Sequence, residues 1–449
     1  MRTLLVSCYE LGHQPLHVAS PAAALRRAGH QVRALDLSVQ PFDPEAFSWA
    51  EAVGFSVPMH TAMRLAMVAA RRVRALRPDL PLCFYGLYAP VSRDLTVGRM
   101  VDRAIAGEYE PALVRWVDEL EAASPSREGP VLIELGRSEF RLPARDLLPP
   151  LDRYAHLEAG EEHRLVGYVE ASHGCRHRCR HCPIPAVYQG RIRAVDQELM
   201  LEDVARLVEM GARHITFGDP DFLNAVHHSL RVVREIHGAF PELTFDCTTK
   251  VEHVLRHREV WGELAAAGCV FVVSAFETVN DEILHLMDKG HTAAQASGAI
   301  EVLRSHGVEV RPSWLPFTPW TRIEDLVDIL DFIAAHDLYG STDPVQLTIR
   351  LLLPEGSLLL DVPEILPYLD DYDREALSYR WRAADPEVDR LQSRLATVAA
   401  EGAGRAVEQE ELLERVWKEI MEAAGKGGGG QIPVGATAGR PRLTEPWFC

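Results

Sequence analysis

The feature that most constrains the fold is a repeated alternation of short apolar runs with amphipathic stretches. Thr3–Ser7, Gln31–Leu37, Ala52–Val57, Pro81–Ala89 and Arg103–Glu108 read as buried strands. Between them, Ser20–Gly29 reads as a helix with Pro in its first turn and Gly at its end, and Ala62–Leu76 is amphipathic. A further helix is expected from Pro111 to Ala122. Strands that are apolar on both faces, separated by helices, imply a parallel sheet covered on both sides. The expectation for residues 1–122 is therefore a Rossmann-like α/β domain.

Residues 123–165 hold the turn-rich ASPSREGP and the Pro-rich RLPARDLLPPLDRY and read as a linker. A second series then begins. Its candidate strands are Val166–Ser172, His214–Asp219, Leu243–Thr249, Cys269–Glu277, Val308–Trp314 and Val345–Leu353, starting roughly 25–50 residues apart. Six such units suggest a partial (β/α)6 barrel over 166–364, with chemistry at the C-terminal strand ends. Residues 365–424 turn helical, and 425–449 form a Gly-rich tail, expected to be flexible, that ends in Cys449.

Apolar residues make up 47% of the chain, enough to bury a large core, and no run of about 18 apolar residues marks a membrane span. The start, MRTLLVSCYELGHQP, fits a buried strand better than a signal peptide, so a cytoplasmic setting is expected. The formal net charge of −18 argues against a nucleic-acid substrate, because phosphate neutralisation dominates such binding. A small-molecule substrate is favoured.

The chain has eight cysteines, and three of them fall within eight residues: Cys175, Cys179 and Cys182 in GCRHRCRHCP. Thiolates are soft ligands that select iron–sulfur clusters, zinc or copper. Structural zinc takes four ligands, so a Cys3His site would need His173, His177 or His181 as the fourth.

C-x3-C-x2-C directly after a first barrel strand resembles the radical S-adenosylmethionine (SAM) superfamily. That resemblance, over about residues 165–360, implies a 4Fe-4S cluster held by the three cysteines, with one iron left for the amino and carboxylate groups of SAM. It implies that Asp219, in GDPDF, stands where the superfamily meets the SAM amino group. It makes Ser274 and Glu277, at the end of the fourth strand, and Arg311 and Ser313, at the end of the fifth, contacts for SAM or substrate. Arg350 is a further candidate for the SAM carboxylate or ribose, with an internal salt bridge as its rival reading, since a buried Arg needs an anionic partner. Arg176, Arg178 and Arg180 read either as a solvated basic loop or as charges that tune the cluster.

The first domain resembles the cobalamin-binding domain that precedes many radical SAM barrels. Its Asp-x-His-x-x-Gly loop is missing: YELGHQP places Glu10, Gly12 and His13 there instead. Base-off cobalamin, which needs no protein histidine, and a vestigial or substrate-handling domain both stay open. His13 and His60 are the candidates to line the crevice above the strand ends.

The segments DPDFLN, SAFETVND, LPFTPWT and RLLLPEGSLLL, taken with both chain ends, look like one radical SAM family whose members end in Cys-Cys-Ala-Glu-Pro or selenocysteine-Ala-Glu-Pro. The present sequence stops at the first residue of that tail, so the codon after Cys449 is expected to be UGA. The family includes the enzyme that builds the arsenic–carbon bond of arsinothricin. The resemblance implies transfer of the 3-amino-3-carboxypropyl group of SAM to trivalent arsenic, with arsenite as a candidate substrate, Cys449 as a catalytic thiol and a reductase or flavodoxin as electron donor. The alternative is a cobalamin-type radical SAM methyltransferase, or a 5′-deoxyadenosyl-radical enzyme, acting on another small molecule.

Overall fold

The computed structural model describes residues 1–123, 129–137, 139–160, 162–405, 407–427, 432–433, 435 and 437–445. Cys449 lies outside them. Strands β1 (Arg2–Ser7), β2 (Gln31–Asp36), β3 (Ala52–Ser56), β4 (Leu82–Tyr85), β5 (Arg103–Gly107) and β6 (Val131–Glu134) form one sheet in the order β2-β1-β3-β4-β5-β6. Every pairing in it is parallel. The apolar runs are unbroken because both faces are covered. Leu4, Val6, Phe55 and Phe84 pack with Met63 and Ala70 of helix His60–Leu76, while Leu5, Tyr85 and Ile105 pack with Val18 and Trp116 of helices Leu16–Arg27 and Glu110–Glu121. The order reverses beside β1, which opens a crevice at the C-terminal strand edge.

The second sheet begins with β7 (His156–Ala159), antiparallel to β8 (Glu162–Val169). A short ribbon, β9 (Ser172–Gly174) with β10 (Ile192–Ala194), brackets the cysteine loop. Then β11 (His214–Phe217), β12 (Thr244–Thr248), β13 (Cys269–Glu277) and β14 (Glu309–Trp314) continue from β8 in parallel, with helices between them, as a curled half-barrel. Trp261, Phe276, Trp314 and Phe317 are among the large side chains buried in its core.

Four expectations need correction. The sixth strand, Val345–Leu353, is a 3-10 turn over Pro344–Thr348 followed by a single bridge between Arg350 and Phe317. An apolar run buried on every side carries no period that separates strand from turn. Here Leu347, Leu351 and Leu353 are buried in the same core as Leu391 and Leu413 of helices Pro386–Arg405 and Gln409–Ala423. The expected linker is structural: β6 completes the first sheet, and β7 joins the second between β8 and the tail. The region after 365 opens with a hairpin, β15 (Leu369–Asp373) and β16 (Ser378–Trp381), before its two helices. The tail is anchored. Residues of β17 (Arg442–Leu443) pair antiparallel with β7, and Arg442 bonds Glu158 at 2.8 Å.

Candidate active site

The cysteine loop leaves β9 at Gly174, whose φ is +77°. A Cβ there would sit 2.3 Å from the Arg191 carbonyl oxygen, so only glycine lets the ribbon close beneath the loop. Cys175 and Cys179 are buried and Cys182 is half-buried. Asn224 Nδ2 donates to Cys175 Sγ at 3.4 Å. Burial pushes the Cys182 thiol up to about 12 and raises that of Cys175, so a bound cation must supply the drive to ionise them.

The three thiols are not among the described groups whose ligand atoms all lie within 4.8 Å of one another. Four sulfurs around one zinc lie about 3.8 Å apart, given Zn–S bonds of about 2.3 Å. The wider spread therefore fits a multi-iron cluster. The three loop histidines also face elsewhere. His173 Nδ1 lies 3.2 Å from Glu108, His177 Nε2 3.0 Å from Asp221 and His181 Nε2 3.2 Å from Glu277. The Cys3His zinc reading has no fourth ligand here.

The strand ends bring some of the expected residues to this loop. Asp219 follows β11, is buried, and accepts from Ala171 N at 2.8 Å and Ser172 Oγ at 2.5 Å; burial pushes its carboxyl up to about 7. Glu277 ends β13 at φ +64° and bonds Lys289 Nζ at 2.8 Å. Burial opposes its charge, but Lys289 and His181 outweigh burial and hold it well below the usual carboxylate range. Ser274 donates to the Thr249 carbonyl at 2.7 Å, tying β13 to the end of β12. Ser313 is buried near the end of β14.

Arg311, expected to meet SAM or substrate, is a correction, and for Arg350 the structure shows the rival reading, an internal salt bridge. Arg311 pairs with Asp343 at 2.6 Å and also donates to the carbonyls of Gly340 and Pro441. Arg350 pairs with Asp389 at 2.5 Å and lies 3.5 Å over the Trp381 ring. A buried Arg is satisfied by an internal carboxylate as well as by a ligand, and each finds one on a neighbouring element.

Sequence reasoning missed Asp221, Asn224, Lys250, His253, Lys289 and His291, all buried beside the loop or the strand ends. The available signal was charge in apolar surroundings, as in ILHLMDKGH, where Lys289 ends a buried helix turn.

The profile of the radical SAM superfamily matches residues 169–333. These residues are a radical SAM domain. The match indicates an enzyme domain whose superfamily uses a 4Fe-4S cluster and SAM, and Cys175, Cys179 and Cys182 are the residues here that would hold the cluster. Hopanoid C-3 methylase of Methylococcus capsulatus is 24% identical over 69% of this chain, and hopanoid C-2 methylase of Rhodopseudomonas palustris 23% over 62%. The matches cover 62% and 52% of those proteins' own lengths. The fold resembles the cobalamin-dependent SAM radical enzyme OxsB, solved with aqua-cobalamin bound, at a TM-score of 0.69 over 94% of this chain and 70% of that one, with 14% identity. It also resembles the radical SAM methyltransferase TsrM of Kitasatospora setae, at a TM-score of 0.59 over 75% of this chain and 71% of that one, with 19% identity.

The crevice at the first sheet's edge tests whether this chain's residues suit cobalamin. A chain of paired side chains crosses it from the first sheet to the radical SAM domain. Glu108 meets His173 at 3.2 Å, His173 meets Glu170 at 3.5 Å, Glu170 meets His17 at 3.2 Å, and His17 Nδ1 lies 2.7 Å from the Tyr109 hydroxyl. His13 stacks on Tyr168 with ring centroids 4.7 Å apart. His60 Nε2 lies 2.6 Å from the Ala376 carbonyl oxygen. Arg145, in the expected linker, clamps the two halves by bonding Asp203 at 2.6 and 2.7 Å and Gln14 at 3.1 Å. Beside His17 and His173 is a narrow cleft, open to solvent and lined in part by Tyr109, Phe140 and Met200. His17, His173 and His60 at this edge are engaged with protein partners, so none is offered as a ligand to a corrinoid cobalt; base-off cobalamin would need none of them. Among the described residues, no helix is long and apolar enough to cross a membrane.

Proposed function

We propose that the chain is a radical SAM transferase that acts on a small molecule at the barrel mouth; the likeness to OxsB and TsrM supports a cobalamin-type radical SAM methyltransferase as the alternative. The observation that carries this reading is a loop of three thiols, two buried and one half-buried, beside buried ionisable groups at the strand ends. When bound, a 4Fe-4S cluster supplies the electron that breaks a C–S bond of SAM. The chain's own residues do the rest. Asn224 donates to Cys175 Sγ, which stabilises negative charge on that sulfur. Lys289, fixed by Glu277, places a positive charge beside Cys179 and Cys182. Leu315, Phe317 and Trp314 are buried beyond the end of β13 and β14 and help exclude water. The expected setting is the cytoplasm, with a reductase or flavodoxin as donor. Mass spectrometry of products from anaerobically reconstituted protein with SAM and dithionite tests the reading: 5′-deoxyadenosine or methylthioadenosine supports it, and intact SAM overturns it.

A second reading rests on the tail. Because β17 is antiparallel to β7, and β7 to β8, the tail runs in the direction of β8, toward the barrel mouth. Glu445 is held there by the Tyr9 hydroxyl at 3.0 Å and packs against Gly12. Cys449 is four residues further on, within about 14 Å of extended chain. This placement supports a carrier thiol for trivalent arsenic and transfer of the 3-amino-3-carboxypropyl group, as in the family with the Ala-Glu-Pro tail. With arsenite added, methylthioadenosine and an arsenic-bearing amino acid support this second reading. 5′-Deoxyadenosine alone overturns it and leaves the first reading standing.

A further inference from the structure

We propose that His177, Asp221 and His253 form a second metal site, for one Zn²⁺ or Fe²⁺, beside the iron–sulfur loop. Their ligand atoms all lie within 4.8 Å of one another. His177 Nε2 is 3.0 Å and His253 Nδ1 2.9 Å from the same oxygen, Asp221 Oδ2. Three separate elements deliver them: the cysteine loop, the turn after β11, and helix Val251–Arg256 after β12.

A network of ordinary hydrogen bonds accounts for only half of this geometry. His177 makes a good bond to Asp221. His253 Nδ1 is buried and aimed at the same oxygen, yet it lies off the line a hydrogen bond needs and has no hydrogen-bond partner. Two imidazole nitrogens converging on one buried carboxylate oxygen is the donor set of a 2-His-1-carboxylate centre, which takes zinc or ferrous iron and leaves coordination positions open. Metal–ligand bonds of about 2.0–2.2 Å put neighbouring donors about 3.3 Å apart, so each imidazole nitrogen need move only a few tenths of an ångström from Asp221 to admit the ion between them. On binding, the proton between His177 and Asp221 passes to water, and both imidazoles coordinate as neutral donors. Outside the three ligands, Glu252 Oε2 lies 3.9 Å from His177 Nδ1, where an acidic neighbour orients a ligating ring. The open positions suit an oxygen or sulfur donor of the small-molecule substrate, held next to the SAM-cleaving loop. That last role rests on the reading above; the metal site itself does not.

The test uses the full chain with its cluster reconstituted, equilibrated with Zn²⁺ and then dialysed. One zinc per chain in addition to the cluster iron is expected. His253→Ala should lose the zinc and keep the iron, because His253 is on a different element from the cysteine loop. No zinc in the parent protein, or zinc unchanged in His253→Ala, overturns the proposal. Should His253→Ala lose the iron as well, Co²⁺ titration of the Cys175→Ala/Cys179→Ala/Cys182→Ala chain decides. One equivalent with nitrogen- and oxygen-type d–d bands supports the site. No binding overturns it.

Discussion

Both sheets present the C-terminal ends of parallel strands to the same region, and they treat those ends in opposite ways. At the first sheet, Glu108, His17 and His13 are paired with His173, Glu170 and Tyr168 of the radical SAM domain. At the second, the thiols, Lys289, His253 and His291 converge on a loop, and ring nitrogens of both His253 and His291 are left without hydrogen-bond partners. A doubly wound sheet offers a crevice at its switch point, but the loops decide whether a ligand or the protein fills it. In this chain the first edge carries contacts to the barrel, and the cysteine loop lies at the second edge.

The largest expected contrast is chemical. Cys179→Ser should abolish SAM cleavage and lower the iron content, read by product mass spectrometry and metal analysis, while the domain junction stays intact. Retained cleavage would break the comparison at its stronger half. Next comes the junction. Arg145→Ala leaves Asp203 buried without its partner and should cost about 3–5 kcal/mol in chemical denaturation, with iron content unchanged. A cost under about 1 kcal/mol would mean the halves are held elsewhere.

How much of this was legible in the sequence follows from what kind of signal each part carries. The cysteine loop was legible because its spacing is covalent and its chemistry selects the residue type. The strand β13 was legible because burial on both faces leaves a long apolar run, CVFVVSAFE, whereas β12 and β14 interrupt theirs with Asp246 and with Glu309 and Arg311. The segment Val345–Leu353 carries an apolar run too, yet it serves as packing beneath two helices. Asp343 and Asp389 are 32 and 39 residues from the arginines they neutralise, and no local pattern announces such a partner. The tail looked loose because glycine dominates its first half; Arg440 and Arg442, which tie it to Glu309, Asp337 and Glu158, come after that stretch.

A smaller effect sharpens the closed edge. Burial would lower the His17 and His173 pKa values, but Glu170 and Glu108 raise them to about 9 and about 10. These folded values lie above the unfolded histidine value of about 6.5. The stabilisation is therefore full below pH 6.5 and is lost as pH rises through 9 to 10. Melting temperature against pH should fall over that window, and the fall should shrink in His17→Gln. A flat profile would count against the paired chain. The smallest effect belongs to the tail: Tyr9→Phe removes one bond to Glu445 and should cost about 0.5–1.5 kcal/mol, with faster proteolysis after residue 437 as a second readout.

The central claim is that one edge is chemical and the other is closed. The most direct test is SAM cleavage by the anaerobically reconstituted enzyme with dithionite, measured with and without added hydroxocobalamin. The account predicts the same yield of SAM-derived nucleoside in both, and no corrinoid retained after gel filtration. Cleavage that depends on the corrinoid, or a corrinoid that stays bound, would contradict it.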